Sequence, residues 1–144
     1  MAKPEPILID TWGWLALGHR RDQYHQDVKA LYQMLCSTQT PIHTSDYILD
    51  EVMTLLFRRE VFQEAVQFLE GIFRAAELEQ VEIHRITSER FQTAWSLRKQ
   101  FQDKPLISFT DLTSMALMRE LNIQQVLTQD EHFIQTGMGF VRVL

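Results

Sequence analysis

The stretch Pro6-Ile7-Leu8-Ile9-Asp10-Thr11-Trp12-Gly13-Trp14 decides the fold. Three aliphatic residues bounded by a proline read as a short strand buried on both faces. Asp10, at the carboxyl end of that strand, is a poor residue to set beside apolar core unless something cationic compensates it. In an open α/β sheet the functional crevice lies outside the carboxyl ends of the strands. Working outward, three further acids end or open apolar segments in the same manner. Glu51 rides an amphipathic helix, Asp111 opens another, and Asp130 follows Val126-Leu127-Thr128-Gln129. Brought to one crevice, four carboxylates make a strong site for a hard divalent cation.

The rest of the chain alternates in the way such a crevice requires. Thr11 to Leu17 reads as one or two helical turns, and a helix from about Asp22 to Ser37 has Asp22 as its N-cap. Pro41 to His43 is a second short strand; Ser45 caps a helix reaching Arg58 or Arg59, and another helix runs from about Val61 to Glu77. Val81 to Ile86 alternates as a half-buried strand does. Thr87 or Ser88 starts a helix ending before Pro105, and Thr110 caps the next, through Leu121. Gln125 to Thr128 is a strand, Asp130 to Thr136 a short helix, and Phe140 to Leu144 a closing strand. Strands alternating with helices predict one α/β domain over residues 1–144, a central parallel sheet of four to five strands between two helical layers.

Each acid has an ordinary structural reading to set against the functional one. Asp10 suits an N-cap for the helix at Thr11, Asp111 a first-turn dipole partner, and Asp130 a cap for the helix after it. Glu51 discriminates better. Ile48, Leu49, Val52, Met53, Leu55 and Leu56 form the apolar stripe of its helix, and Glu51 lies at the stripe's edge while Asp50 points away. Without a cation, four gathered charges repel, so at least one carboxyl should carry a raised pKa. Carboxylates select Mg²⁺ or Mn²⁺ over Zn²⁺. The five histidines (His19, His25, His43, His84, His132) show no helical pair four apart, which places them at the surface or behind the ligands.

Composition narrows the class. The chain has 144 residues, enough to bury roughly 70% of its unfolded surface. Cys36 is the single cysteine, so no internal disulfide forms and a reducing cytosol suits the protein. No apolar run approaches a membrane span, and Met1-Ala2-Lys3-Pro4 leads into a strand rather than a signal peptide. The net charge of −5 opposes bulk attraction to nucleic acid, but a metal-binding acid cluster itself lowers the net charge. Absence of a Gly-rich phosphate loop, a Gly-x-Ser-x-Gly elbow and a Cys/His pattern removes nucleotide kinases, serine hydrolases and zinc modules.

These residues resemble a known family. Ile7 to Trp14 looks like the opening of a PIN domain, in which the first metal-binding Asp ends strand one and a Thr or Ser follows. Thr44 to Val52 is similar to its second motif, with Glu51 as the helical acid. Ser108-Phe109-Thr110-Asp111-Leu112 resembles the third, and Leu127 to Phe133 the fourth, where Thr128 precedes the last acid, Asp130. The resemblance implies a metal-dependent endoribonuclease, often the VapC-type toxin of a toxin–antitoxin pair. Asp10, Glu51, Asp111 and Asp130 would then hold one or two Mg²⁺ or Mn²⁺ ions, with Thr11 and Thr128 in support. RNA contacts would fall to local basic pairs: Arg20-Arg21, Arg58-Arg59 or Arg98-Lys99.

Two rivals stand beside this reading, an inactive PIN-like adaptor and a metal-dependent DNA nuclease. Four mutually repelling carboxylates have no physical reason to persist in the first. The short chain has little room for the elements that clamp a DNA junction in the second. Finally, Met53, Leu56, Phe57, Val61, Phe62, Val66, Phe68, Leu69, Ile72 and Phe73 exceed what one domain should bury on two consecutive helices. A homodimer is therefore expected. The resemblance adds a small antitoxin whose Arg or Lys enters the acid crevice.

Overall fold

The computed structural model describes residues 3–144. The expectation that Met1-Ala2 begins no signal peptide lies outside them. In chain order the elements are β1 (Ile7–Ile9), α1 (Thr11–Gly18), α2 (His25–Ser37), β2 (Ile42–Ser45), α3 (Asp46–Arg59) and α4 (Phe62–Glu77). There follow β3 (Val81–His84), α5 (Ser88–Gln100), α6 (Phe109–Leu121), β4 (Gln125–Leu127), α7 (His132–Gln135) and β5 (Val141–Val143). All five strands pair in parallel, in the order β3-β2-β1-β4-β5. The chain therefore builds the sheet one way from β1 and then returns to add β4 on β1's other side. That reversal makes the carboxyl ends of β1 and β4 the switch point where such sheets hold ligands.

The central strand is as apolar as its sequence implies: Ile7, Leu8 and Ile9 are all buried. One sheet face receives α1. A Cβ on Gly13 would stand 2.9 Å from Ile9 Cγ2 and 3.0 Å from Leu127 Cγ, so only glycine lets this helix seat so closely. The buried Trp14 indole donates to Thr44 Oγ1 at 3.0 Å, which satisfies its one polar atom. The other face is flanked by α5 and α6, whose Arg90 and Glu120 act electrostatically on His84. Among the described residues no helix is long and apolar enough to cross a membrane.

Local signals explain most boundaries. Ser45 accepts the Ile48 amide and Thr87 the Arg90 amide, as their sequence positions predict. Two caps differ. Helix α6 is capped by Ser108, not Thr110, and its acceptor oxygen takes the amide of Asp111 at 3.0 Å. Starting the helix earlier also lets Phe109 pack on Phe91, with ring centroids 4.9 Å apart. Helix α2 begins at His25 rather than near Asp22, because the Asp22 carboxylate closes a local turn onto the Tyr24 amide at 2.8 Å. The strand expected through Ile86 ends at His84, and the closing strand is Val141–Val143.

In α4 the buried residues Ala65, Leu69, Ile72 and Ala75 recur at helical spacing. Leu56, Leu69 and Ile72 are fully used inside the domain. Val61 and Phe62, at the α3–α4 corner, stay 68% and 64% exposed beside the partly exposed Phe57. The expected surplus of apolar surface is real and greatest at that corner, with Phe73 farther along α4 also 40% exposed.

Candidate metal centre and active-site cleft

Strand register explains the first pair of site residues. Ile9 lies opposite Leu127, so the next residues along, Asp10 and Thr128, emerge side by side from adjacent strands. Thr128 Oγ1 donates to Asp10 Oδ2 at 2.8 Å and accepts the Asp130 amide at 2.9 Å. Asp10 holds the backbone position of an N-cap for α1, yet its side chain makes no capping hydrogen bond. Its second oxygen, Oδ1, is buried without a partner. The plain N-cap account of Asp10 therefore fails, since one carboxylate oxygen serves Thr128 and the other is buried without a partner.

Glu51, at the edge of the α3 stripe, is half-buried and receives a hydrogen bond from Thr11 Oγ1 at 2.9 Å. Asp50 is exposed, as the helical wheel requires. Asp111 is buried in the first turn of α6. Asp130 Oδ1 accepts the His132 amide at 2.9 Å in a local turn just ahead of α7, whose N-cap is Glu131 and not Asp130. Asp10, Glu51, Asp111 and Asp130 all line one open cleft of about 460 Å³, together with Thr11, Trp12, Asp22, Arg59 and His132.

The electrostatics follow from that convergence. Burial pushes the Asp10 carboxyl up to about 6, against a partial lowering by the Thr128 hydrogen bond; Asp130 and Glu51 add repulsion. Burial raises Asp111 further, to about 9, helped by the nearby charges of Asp10, Asp130 and Glu51. The expectation of a raised carboxyl pKa thus holds for two of the four acids. Asp111, Asp130 and His132 present donor atoms within 4.8 Å of one another. The His132 Nδ1 lies 3.0 Å from Asp130 Oδ1 and 3.7 Å from Asp111 Oδ2, yet makes no hydrogen bond. Hard oxygen donors dominate, two of the carboxyls raised in pKa chiefly by burial, and Asp10 Oδ1 lacks any partner. The residues fit a divalent cation of the Mg²⁺ or Mn²⁺ kind.

The basic pairs separate. Arg59 lines the cleft, whereas Arg20, Arg21 and Arg58 are exposed and do not. Arg98 is occupied in holding the α5–α6 connection: its guanidinium donates to the carbonyls of Ile107, Phe101 and Lys104. Sequence reasoning missed His132 and Asp22 as cleft residues. His132 had a legible signal, because an acid two residues before a helix start offers its oxygen to the amide at that spacing.

A parallel α/β domain with a carboxylate cleft at its switch point belongs to a small class of folds. The family model for the PIN domain matches residues 7–138, and the chain belongs to that family. The 23S rRNA-specific endonuclease VapC20 of Mycobacterium tuberculosis is 33% identical over 137 residues, 95% of this chain and 97% of the relative, in each of two strains. The crystal structure of Mycobacterium tuberculosis VapC20, a sarcin-ricin loop cleaving toxin, is similar with a TM-score of 0.77. That match is 33% identical and covers 95% of this chain and 98% of the other.

Proposed function

We propose that this protein is a divalent-metal-dependent endoribonuclease that hydrolyses RNA phosphodiester bonds, acting as the toxin of a toxin–antitoxin pair. The observation that carries the reading is the meeting of Asp10, Glu51, Asp111 and Asp130 in one cleft at the sheet's switch point, with Asp10 Oδ1 buried and unpartnered. The four acids would hold Mg²⁺ or Mn²⁺. Bound there, the cation supplies the Lewis acidity that phosphodiester hydrolysis needs.

The chain's own groups do the rest. Thr128 fixes one oxygen of Asp10 and leaves the other without a partner, and Thr11 pins Glu51. Arg59 provides a cationic group at the cleft wall for a substrate phosphate. Trp12, held against Tyr24 with ring centroids 5.2 Å apart, offers a flat surface beside the acids for an unstacked base. The acidic cleft also suits an Arg or Lys side chain from an antitoxin, and the apolar corner at Val61 and Phe62 supports a homodimer.

The test is cleavage of 23S rRNA and of single-stranded oligoribonucleotides by purified protein in Mn²⁺, Mg²⁺ or EDTA. RNA is cut only with metal, and Asp10→Asn or Asp111→Asn abolishes cutting while the fold persists by circular dichroism. Cleavage of matched DNA but not RNA would support a DNA nuclease. No cleavage of either with Mn²⁺ present would support the adaptor reading.

A further inference from the structure

A second group of donor side chains lies on the sheet face opposite α1. Register places His43 of β2 opposite Glu82 of β3, and His84 follows Glu82 by two residues, so all three project from the same face. His43 Nδ1 is 2.8 Å from His84 Nε2. Glu82 Oε2 is 3.6 Å from His43 Nδ1 and 3.7 Å from His84 Nε2. None of the three lines the acid cleft.

A triangle with sides 2.8, 3.6 and 3.7 Å has its centre about 2.0 Å from every corner. That is the length of a zinc–imidazole or zinc–carboxylate bond, about 2.0–2.2 Å. A cation therefore fits between these donors as the backbone now holds them, after each ring turns its lone pair to the centre. The rings already lie side by side, 21° from parallel with centroids 5.1 Å apart. His84 is buried and His43 nearly so, while the Glu82 side chain is 66% exposed, which gives the site an opening to solvent. Burial is the main cause holding both imidazoles below their ordinary pKa, so their nitrogens carry lone pairs near neutral pH.

We propose that His43, Glu82 and His84 form a metal site for a Zn²⁺-class cation, separate from the acid cleft and selective for a different kind of ion. Two imidazoles and one carboxylate are borderline-soft donors suited to Zn²⁺, whereas the cleft's carboxylates suit Mg²⁺ or Mn²⁺. Three protein ligands leave a fourth position open to water. The ion joins the interior strand β2 to the edge strand β3, whose outer backbone has no strand neighbour among the described residues. It acts as a cross-link between those two strands, and the inference does not depend on the protein's being a nuclease.

The probe is Co²⁺, added at one equivalent to the protein in excess Mg²⁺. Wild type develops the intense visible absorption of four-coordinate cobalt, and Zn²⁺ bleaches it. Glu82→Gln, at an exposed side chain that does not threaten folding, weakens Co²⁺ binding by about tenfold or more. His43→Ala removes the band, and Asp10→Asn leaves it intact. Cleavage in Mg²⁺ alone is unchanged by Glu82→Gln. Absence of the band in wild type, its full retention in Glu82→Gln, or its loss in Asp10→Asn would overturn the assignment.

Discussion

Asp10→Asn should make the metal-free protein more stable while destroying its proposed activity. The folded environment lifts the Asp10 carboxyl from 3.8 to about 6, chiefly by burial. The folded protein therefore binds a proton more tightly than the unfolded chain, so stability falls as pH rises through that window and stays reduced above it. At about 1.36 kcal/mol per pKa unit the cost at pH 8 is about 3 kcal/mol. Asparagine has no charge to desolvate. Its carbonyl oxygen can keep accepting from Thr128, and its amide then takes the place of Asp10 Oδ1, which has no partner.

In EDTA at pH 8 the variant should melt higher than wild type by roughly 10 °C, taking about 3 °C per kcal/mol for a domain of this size. The gap should close toward pH 3, where both side chains are neutral. Adding Mn²⁺ should stabilise wild type more than the variant and narrow the difference. Thermal melts followed by circular dichroism at three pH values, with and without metal, read all of this. A variant no more stable than wild type in EDTA at pH 8 would refute the claim that Asp10 is held against its own solvation.

The neighbouring acids of α3 give a paired control: Glu51→Gln should abolish metal-dependent RNA cleavage, while the exposed Asp50→Asn stays within about twofold of wild type. Thr128→Val removes the donor to Asp10 and the acceptor of the Asp130 amide. A stability loss of about 1–3 kcal/mol and a roughly tenfold higher Mn²⁺ requirement are expected in denaturation and cleavage titrations. Val61→Asp with Phe62→Asp should leave the fold intact by circular dichroism and turn a dimer into a monomer by light scattering. Wild type found monomeric at micromolar concentration would remove the basis for that interface.

Asp10, Asp111 and Asp130 were legible because each sits beside the start or end of an apolar element, and Glu51 because it lies at the edge of its helix's apolar stripe, both of which are properties that sequence carries. The parallel sheet was legible for the same reason: Ile7-Leu8-Ile9 has no polar face, so it must be covered on both sides. Caps were less secure, since Ser108 and Thr110 are both competent and only the packing of Phe109 on Phe91 decides between them. Arg98 shows a different gap. A basic residue in the last turn of a helix looks solvated until the following loop folds back and offers three carbonyls. The His43–Glu82–His84 group was invisible to a search for helical spacing. Its members are neighbours only through strand pairing, which brings positions 41 residues apart to 2.8 Å.

Metal binding in the cleft should release a proton at neutral pH. Burial and the charges of Asp10, Asp130 and Glu51 push Asp111 up to about 9, so in the metal-free protein it is protonated at pH 7. A cation that takes Asp111 as a ligand needs the carboxylate, and its own charge reverses the repulsion that kept the proton on. Asp10, pushed up to about 6, is mostly ionised already and contributes little. Mn²⁺ binding at pH 7 should therefore expel close to one proton, and well above pH 9 almost none. Affinity for Mn²⁺ should rise with pH between those limits, and cleavage at limiting metal should follow it. Calorimetric titrations in buffers of different ionisation enthalpy count the released proton directly. Asp111→Asn should reduce that count to nearly zero while Asp22→Asn, a cleft acid outside the tight donor group, leaves it in place. Binding at pH 7 with no proton released would mean that Asp111 is already ionised in the free protein, and that the cleft compensates its charge by some group other than the cation.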